Sequence, residues 1–558
     1  MDNPALSKNN PFSAEQFNAL VLSALASIIW MLFLNFDTTA LAWPAVDNLP
    51  GVCRLLDPAC LLNDFFTNAS STTNPRSPYI HILASLSDYS GLGLGGGLGI
   101  VKGLLLVLMP LGFTMIMVIS VKLNAKDSDV IFYLSCLLAP LVIYLLQGKV
   151  GYELSVAWWS PINFEATPHN VALTFTLLGF CFHHFMRLFL CAVFISFATI
   201  IHPIMGLFTS VFGLLLFSDF SSLKANKNLF LYGLLPSVVT ALGVKILFDA
   251  NTALSVEDFV RIYVNEGHPA HYLPSQFGSF GGPWALSFGA VIGGLMLVSG
   301  IFYKLKKGIW KKALTAVAFY GLAVLFQYIF VELWPVKLIA KLGPSRFTMF
   351  GIWFLFIFWG VLIFDSVAYR VSLNKLSSFL QWSQRVNGRF VGGALFVLLG
   401  LFVGTYSPKA SDFSHIQLSD DDMYSFINKN SEIDDVFILP FGNDAIFIPL
   451  ITGRSVFFGN GFPFSEESFP EYAQRQKMVY GSNEKIKNIA GSWIGAKYAN
   501  YYRNLKPQSF IDFSFSYKLD WVVVEADYSE DFAECSSEYV SKYHKVFTIN
   551  NLKKCNES

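Results

Sequence analysis

Val52-Cys53-Arg54-Leu55-Leu56-Asp57-Pro58-Ala59-Cys60-Leu61-Leu62-Asn63-Asp64-Phe65-Phe66 lies between the first two long apolar runs of the chain. Two carboxylates, Asp57 and Asp64, stand here beside two cysteines, in a polar loop spanning 37–97. On one side the loop is bounded by the run from Phe17 to Phe36, and on the other by 98–121. Each run is about 20 residues long, the length that crosses a hydrocarbon core as a helix. A polar loop returned between two such runs makes this a polytopic membrane protein and places chemistry at a bilayer surface.

The composition agrees. A mean hydropathy of +0.48, with 53% hydrophobic and 14% charged residues over 558 positions, excludes an ordinary soluble domain. The formal net charge is zero, so no nucleic-acid partner is implied. The first apolar run lacks a small-residue cleavage site and is expected to remain as a helix. Eleven spans are predicted, at about 17–36, 98–121, 130–147, 171–183, 188–201, 203–218, 228–248, 284–303, 313–334, 347–368 and 390–406. With the N-terminus inside, the inner segments hold fifteen lysines and arginines and the longer outer loops seven. Merging 171–201 into one span would put the basic run Lys304 to Lys312 outside, so an N-in, C-out arrangement is the better reading.

The outer connections, 37–97, 148–170, 249–283 and 335–346, are long and polar, whereas inner ones are short and basic. The exception, 371–389, can place Leu373, Leu376 and Leu380 on one face and reads as a helix lying on the inner leaflet. Near Ser407 the pattern changes: residues 407–558 carry 15 Lys and Arg against 21 Asp and Glu, a net of −6. The chain is therefore divided into a transmembrane domain, 1–406, and a small soluble α/β domain, 407–558, outside the cytoplasm. Strands are expected at Val436 to Leu439, Ala445 to Ile448, Trp521 to Val524 and Val546 to Ile549. Helices are expected at Ser419 to Asn430, capped by the serine, at Glu466 to Tyr480 and at Glu484 to Leu505. Cys53 with Cys60, and Cys535 with Cys555, fall on the outer side as pairs that suit disulfides in an oxidising compartment, with free thiols as the alternative. Cys136, Cys181 and Cys191 lie inside apolar spans.

Polar residues gather on the outer side: Asp57 and Asp64, His169, His202, Lys245, His268, His271, Glu332 and Arg346. Ionisable groups near hydrocarbon are costly to keep and mark function more often than accident. Each also has a plainer reading. Asp57 before Pro58 resembles a helix start, His202-Pro203 can simply turn the chain, and Lys245 can snorkel. Arg346 can obey interface preference, although its guanidinium suits a bidentate phosphate contact. Asp64 has no such local excuse and is favoured as an acid–base group. The glycine-rich stretch Gly91 to Gly99 has no strand before it and no Gly-Lys-Ser/Thr after it, so it is no nucleotide loop; it reads as a flexible lead-in to the second span.

Asp57-Pro58 with Asn63-Asp64, the His202-Pro203 turn and the outer C-terminal domain together resemble the GT-C superfamily of integral-membrane glycosyltransferases. Within that domain, Ala445 to Pro449, Gly453-Arg454, Phe462-Pro463 and Tyr472-Ala473-Gln474-Arg475 look like the strand, arginine and arginine-bearing helix of poorly characterised bacterial members. The resemblance implies sugar transfer from a polyprenyl-phosphate donor, at the outer face of a bacterial inner membrane, to a cell-envelope glycan, lipid or protein acceptor. Asp57 or Asp64 would be the catalytic carboxylate, and His169, His202, Lys245 and Arg346 the lipid-phosphate and substrate contacts. Several such families place a tight pair of acids after the first span. Here Asp37 stands alone, which leaves both a divalent-metal cofactor and the identity of the acting aspartate open. The alternatives are a cell-surface polysaccharide polymerase or ligase, and a non-catalytic transporter or assembly protein.

Overall fold

The computed structural model describes residues 13–34, 42–71, 74–124, 129–147, 150, 154–156, 164–218, 226–248, 254–279, 282–305, 307–368, 388–413, 416, 420–440, 443–459, 462–463, 465–481, 501–528 and 530–557. They form a mainly helical chain whose contacts divide it into two compact units. One comprises Met1–Thr38, Ile100–Leu247 and Pro269–Tyr406; the other comprises Thr39–Gly99, Phe248–His268 and Ser407–Ser558. The loop after the first apolar run thus belongs to the same compact body as the C-terminal residues.

In the first unit the apolar runs are helical, as backbone in hydrocarbon must satisfy its own N–H and C=O groups. Among the described residues six helices are long and apolar enough to cross a membrane: Gly96–Leu123, Lys227–Leu247, Trp284–Lys304, Ile309–Leu333, Lys337–Ile363 and Gly393–Asp412. Helices also stand at the other five expected spans. Two of these, Leu188–Ile201 and Pro203–Phe217, have 14 and 15 residues and rise only about 21–23 Å, short of a hydrocarbon core of about 30 Å. Among the described residues, six of the eleven expected spans therefore reach crossing length and composition. The windows in Gly96–Leu123 and Lys337–Ile363 are 78% and 67% buried, against 22–33% for the other four, so these two helices are central and the rest present apolar faces outward.

Contacts between the helices fix their directions. Pro168–His184 turns at Met186 (φ 57°) into Leu188–Ile201, and the two run antiparallel, with Phe175 against Phe197 and Phe182 against Phe194. Cys191 Sγ donates to the Tyr232 carbonyl and Thr199 Oγ1 to Ser237 Oγ, so the helix that ends in Leu235–Phe248 runs parallel to Leu188–Ile201. Phe208 meets Phe347, and Phe212 meets Phe350 and Phe354, so Pro203–Phe217 and Thr348–Ala368 are also parallel.

The second unit holds a five-stranded mixed sheet. Its strands are β1 (Val436–Ile438), β2 (Ser455–Val456), β3 (Trp521–Glu525), β4 (Tyr539–Val540) and β5 (His544–Thr548). The order is β2-β1-β3-β5-β4, with β2, β1 and β3 parallel and the other two pairings antiparallel. Met423, Tyr424 and Ile427 of the Asp421–Asn430 helix pack with Ile448, Phe437, Trp521, Val523 and Val546 to form its core. The stretch expected as a strand at Ala445 to Ile448 is instead part of the helix Asn443–Thr452. A four-residue apolar run fits either period, and here burial of Ile448 beneath the sheet decides it. Asp420, not Ser419, caps the Asp421–Asn430 helix, its carboxylate accepting from Met423 N. The expected helix at 371–389, and all but the last turn of that at 484–505, lie outside the described residues.

The glycine-rich stretch is ordered. Gly91 and Gly93 take positive φ (64° and 79°) in the turn after Ser77–Ser90. A Cβ on Gly95 would lie 1.8 Å from the Ala410 carbonyl oxygen, and one on Gly97 2.2 Å from that of Leu83. One on Gly103 would meet Val403 at 2.8 Å. Gly95, Gly99 and Gly103 recur every four residues, the spacing that lets helix backbones approach closely in a membrane. The flexible lead-in expected here is a close-packing face instead.

Candidate functional site

The loop from Val52 to Phe66 is held by Arg54 and a Cys53–Cys60 disulfide; a second disulfide joins Cys535 to Cys555. Arg54 Nε donates to the Cys60 carbonyl at 2.9 Å, and its Nη2 to the Leu61 carbonyl and Asn68 Oδ1 at 2.9 and 2.8 Å. Asp57 does not start a helix. It follows the end of Ala42–Leu56, its N–H donating to the Cys53 carbonyl. Its exposed side chain accepts from Ala59 N through Oδ1 at 2.9 Å.

Asp64, seven residues on, is 1% exposed. Its Oδ1 accepts from Thr67 N at 2.7 Å, capping the Phe65–Ser71 helix, and its Oδ2 accepts from Val456 N at 3.1 Å, tying the loop to β2. Burial pushes this carboxyl above the usual carboxylate range, against the bonds from Thr67 and Val456 and the charge of Arg475. Arg475 completes the knot: it donates to the Phe457 carbonyl at 2.7 Å, pairs with Glu471, and lies over the rings of Phe65, Phe457 and Tyr517. Both Asp64 oxygens are therefore spoken for by backbone amides, a structural duty that neighbouring sequence does not reveal because one partner is 392 residues away.

In the first unit the contacts bring four predicted residues to one end of the helix bundle. His169 opens Pro168–His184, and its ring meets that of His202 edge-on at 6.0 Å. His202 joins Leu188–Ile201 to Pro203–Phe217 and caps the latter, its Nδ1 accepting from Met205 N at 3.2 Å. An amide N–H can only donate, so Nδ1 is the acceptor and the proton of the neutral ring sits on Nε2. His202 thus presents a hydrogen-bond donor, not a metal-binding lone pair. Lys245 lies near the C-terminus of the helix running parallel to Leu188–Ile201, exposed between Leu242, Ile246 and Leu247. That is where a lysine reaches along an apolar face towards a headgroup.

Arg346 precedes Thr348–Ala368, at the end where the parallel Pro203–Phe217 helix begins. It is held on a platform: Nη2 donates to Tyr272 Oη at 2.6 Å, and the guanidinium lies 5.5 Å from that ring. Fully buried Gln327 fastens the platform, donating to the Tyr272 carbonyl at 2.7 Å and accepting from Ser345 N at 3.2 Å. Ser345 Oγ donates to the His271 carbonyl, and Gly343 supplies the left-handed turn (φ 57°) that brings the chain round. Gln327 was missed from sequence; its signal was an amide deep in an apolar run.

Elsewhere Asp420, Ser541 and His544 form a cluster that is not a nucleophilic triad. Ser541 Oγ donates to Asp420 Oδ2 at 2.5 Å rather than to the histidine, whose Nδ1 lies 3.1 Å from the same oxygen. Burial alone would raise the Asp420 carboxyl, but the bonds from Ser541, His544, Met423 N and Tyr539 outweigh it and hold it below its ordinary value. Among the described residues no group of three or more His, Cys, Asp or Glu could hold a metal ion, so the divalent metal left open by the sequence finds no ligand set there. Asp37 lies outside the described residues.

No protein-family model and no curated protein matches the sequence. Among solved structures, the apo oligosaccharyltransferase of Archaeoglobus fulgidus is similar with a TM-score of 0.43 at 10% identity, covering 91% of this chain and 69% of that one. The archaeal oligosaccharyltransferase AglB of the same organism, in complex with an inhibitory peptide and a dolichol-phosphate, gives 0.43 at 12% identity with the same coverage. A complex with Zn and sulfate gives 0.38 at 12%, covering 91% and 68%. Similarity at this level lends no residue role, substrate or partner to the chain.

Proposed function

We propose that the chain is a membrane glycosyltransferase of the GT-C kind. It transfers a sugar from a polyprenyl-phosphate donor to a cell-envelope glycan, lipid or protein acceptor, at the outer face of a bacterial inner membrane. The observation that supports this most is the gathering of oriented donors at one end of the helix bundle: the His202 Nε2–H beside His169, the Arg346 guanidinium on its Tyr272 platform, and Lys245 at a lipid-facing helix end. A sugar leaving a lipid phosphate deposits negative charge on the phosphate oxygens, and fixed N–H groups aimed there lower the barrier without reorganising.

The acceptor needs a base. Of the two loop aspartates, Asp57 is the one we put forward, because its side chain is exposed and its second oxygen has no hydrogen bond among the described residues. Asp64 supports the loop. The reading is tested by complementing a strain that lacks the protein and reading surface glycan by gel and protein level by blot. Asp57→Ala and His202→Ala should abolish glycan at normal protein level, because losing a base or an oxyanion donor costs about 10²-fold or more in rate. Unchanged glycan in both variants would leave transport or assembly as the better account.

A further inference from the structure

Lys102 is 1% exposed inside the Gly96–Asn124 helix, and no other lysine among the described residues is buried. Keeping an ammonium out of water costs several kcal/mol unless its donors are met. Its Nζ donates to the Phe164 carbonyl at 2.8 Å and lies 5.7 Å from the centre of the Tyr406 ring. A purely apolar helix would avoid that cost, so the choice of partner is informative. Phe164 begins the turn that carries His169. Asn170, itself 2% exposed, donates through Nδ2 to the Glu165 carbonyl at 2.8 Å, and Thr167 N donates to the same oxygen at 2.8 Å. Thr167 caps the helix that follows.

The segment 164–170 is thus braced within itself, and the lysine bonds its first carbonyl. Next to the lysine the helix is closely packed: a Cβ on Gly103 would lie 2.8 Å from Val403. We propose that Lys102 is a positioning residue: it fixes the 164–170 turn and thereby the seat of His169 against His202 in the lipid-phosphate site. This rests on the reading of His169 and His202 as phosphate contacts.

The test is a double-mutant cycle on the full chain in nanodiscs, with farnesyl phosphate as the probe and binding followed by phosphorus NMR. Lys102→Met and His169→Ala should each weaken binding on the order of tenfold or more. The double variant should bind no more weakly than His169→Ala, since Lys102 acts through that ring. Lys102→Gln, which keeps a donor, should bind more tightly than Lys102→Met. A nuclear Overhauser contact between the His169 and His202 rings should be present in the wild type and lost in Lys102→Met. Should Lys102→Met fail to fold, Lys102→Leu, which also removes the donor, takes its place in the cycle. Two results overturn the proposal: losses that multiply in the double variant, or wild-type binding and ring contact in Lys102→Met while His169→Ala is impaired. Wild-type binding by His169→Ala is a different failure, since it removes the phosphate-site reading itself and the positioning role with it.

Discussion

Asp64 shows how much a single carboxylate can hold. It caps one helix and pairs with an amide of β2, so Asp64→Ala leaves buried Thr67 and Val456 donors unpaired. A loss of about 1–3 kcal/mol is expected, read as a lower thermal midpoint together with faster hydrogen exchange at the Val456 amide. Asp420 makes a prediction in pH. Its folded pKa lies below that of an ordinary aspartate, so its contribution to stability is complete above the unfolded value and is lost as pH falls through the lower folded one. Acid unfolding of the wild type should therefore steepen below the unfolded value, and Asp420→Asn should flatten this arm. A wild-type acid limb unchanged in Asp420→Asn would refute the assignment. From the sequence, the residue types near the bilayer were readable, because ionisable groups in apolar surroundings are rare. Their individual duties were not: the bond that buries the second oxygen of Asp64 comes from Val456, 392 residues away, which no local spacing announces.

At the scale of elements, sequence periodicity located the long apolar helices and three of the four expected strands, because both depend on patterns within a few residues. It misjudged Ala445 to Ile448, where a short run satisfies both periods and the sheet above chose the helix. It also read Gly91 to Gly99 as loose, although the four-residue spacing of Gly95, Gly99 and Gly103 was already a packing signal. That face makes a sharp prediction. Gly95→Ala forces a methyl into the Ala410 carbonyl, so folded yield should fall and stability drop by about 1–3 kcal/mol, whereas Gly393→Ala, with open space around it, should be silent. The Cys535–Cys555 bridge closes a separation of 20 residues onto the Ile549–Glu557 helix. Cys555→Ser should cost about 3 kcal/mol by loop-closure entropy, measured by denaturant unfolding under oxidising conditions.

Across the whole molecule, the helices sort by burial. Of the six helices of crossing length among the described residues, two are enclosed and four turn apolar faces outward, the distribution expected of a bundle solvated by lipid. The same bundle collects His169, His202, Lys245 and Arg346 at one end, and the helix directions that do so follow from contacts far apart in sequence. Counting spans by hydropathy could not supply this, since the short Leu188–Ile201 and Pro203–Phe217 pair turns back at His202 without spanning length. The central claim is sugar transfer from a lipid phosphate. Its most direct test uses the purified chain in proteoliposomes with a panel of synthetic polyprenyl phosphates, each carrying a radiolabelled sugar, and membrane extracts as acceptor. The account predicts that at least one label leaves its lipid with release of free polyprenyl phosphate, and that His202→Ala and Arg346→Ala each slow this by about 10²-fold or more. Label that stays on its lipid across the whole panel, while the lipid binds the wild-type protein, would contradict it.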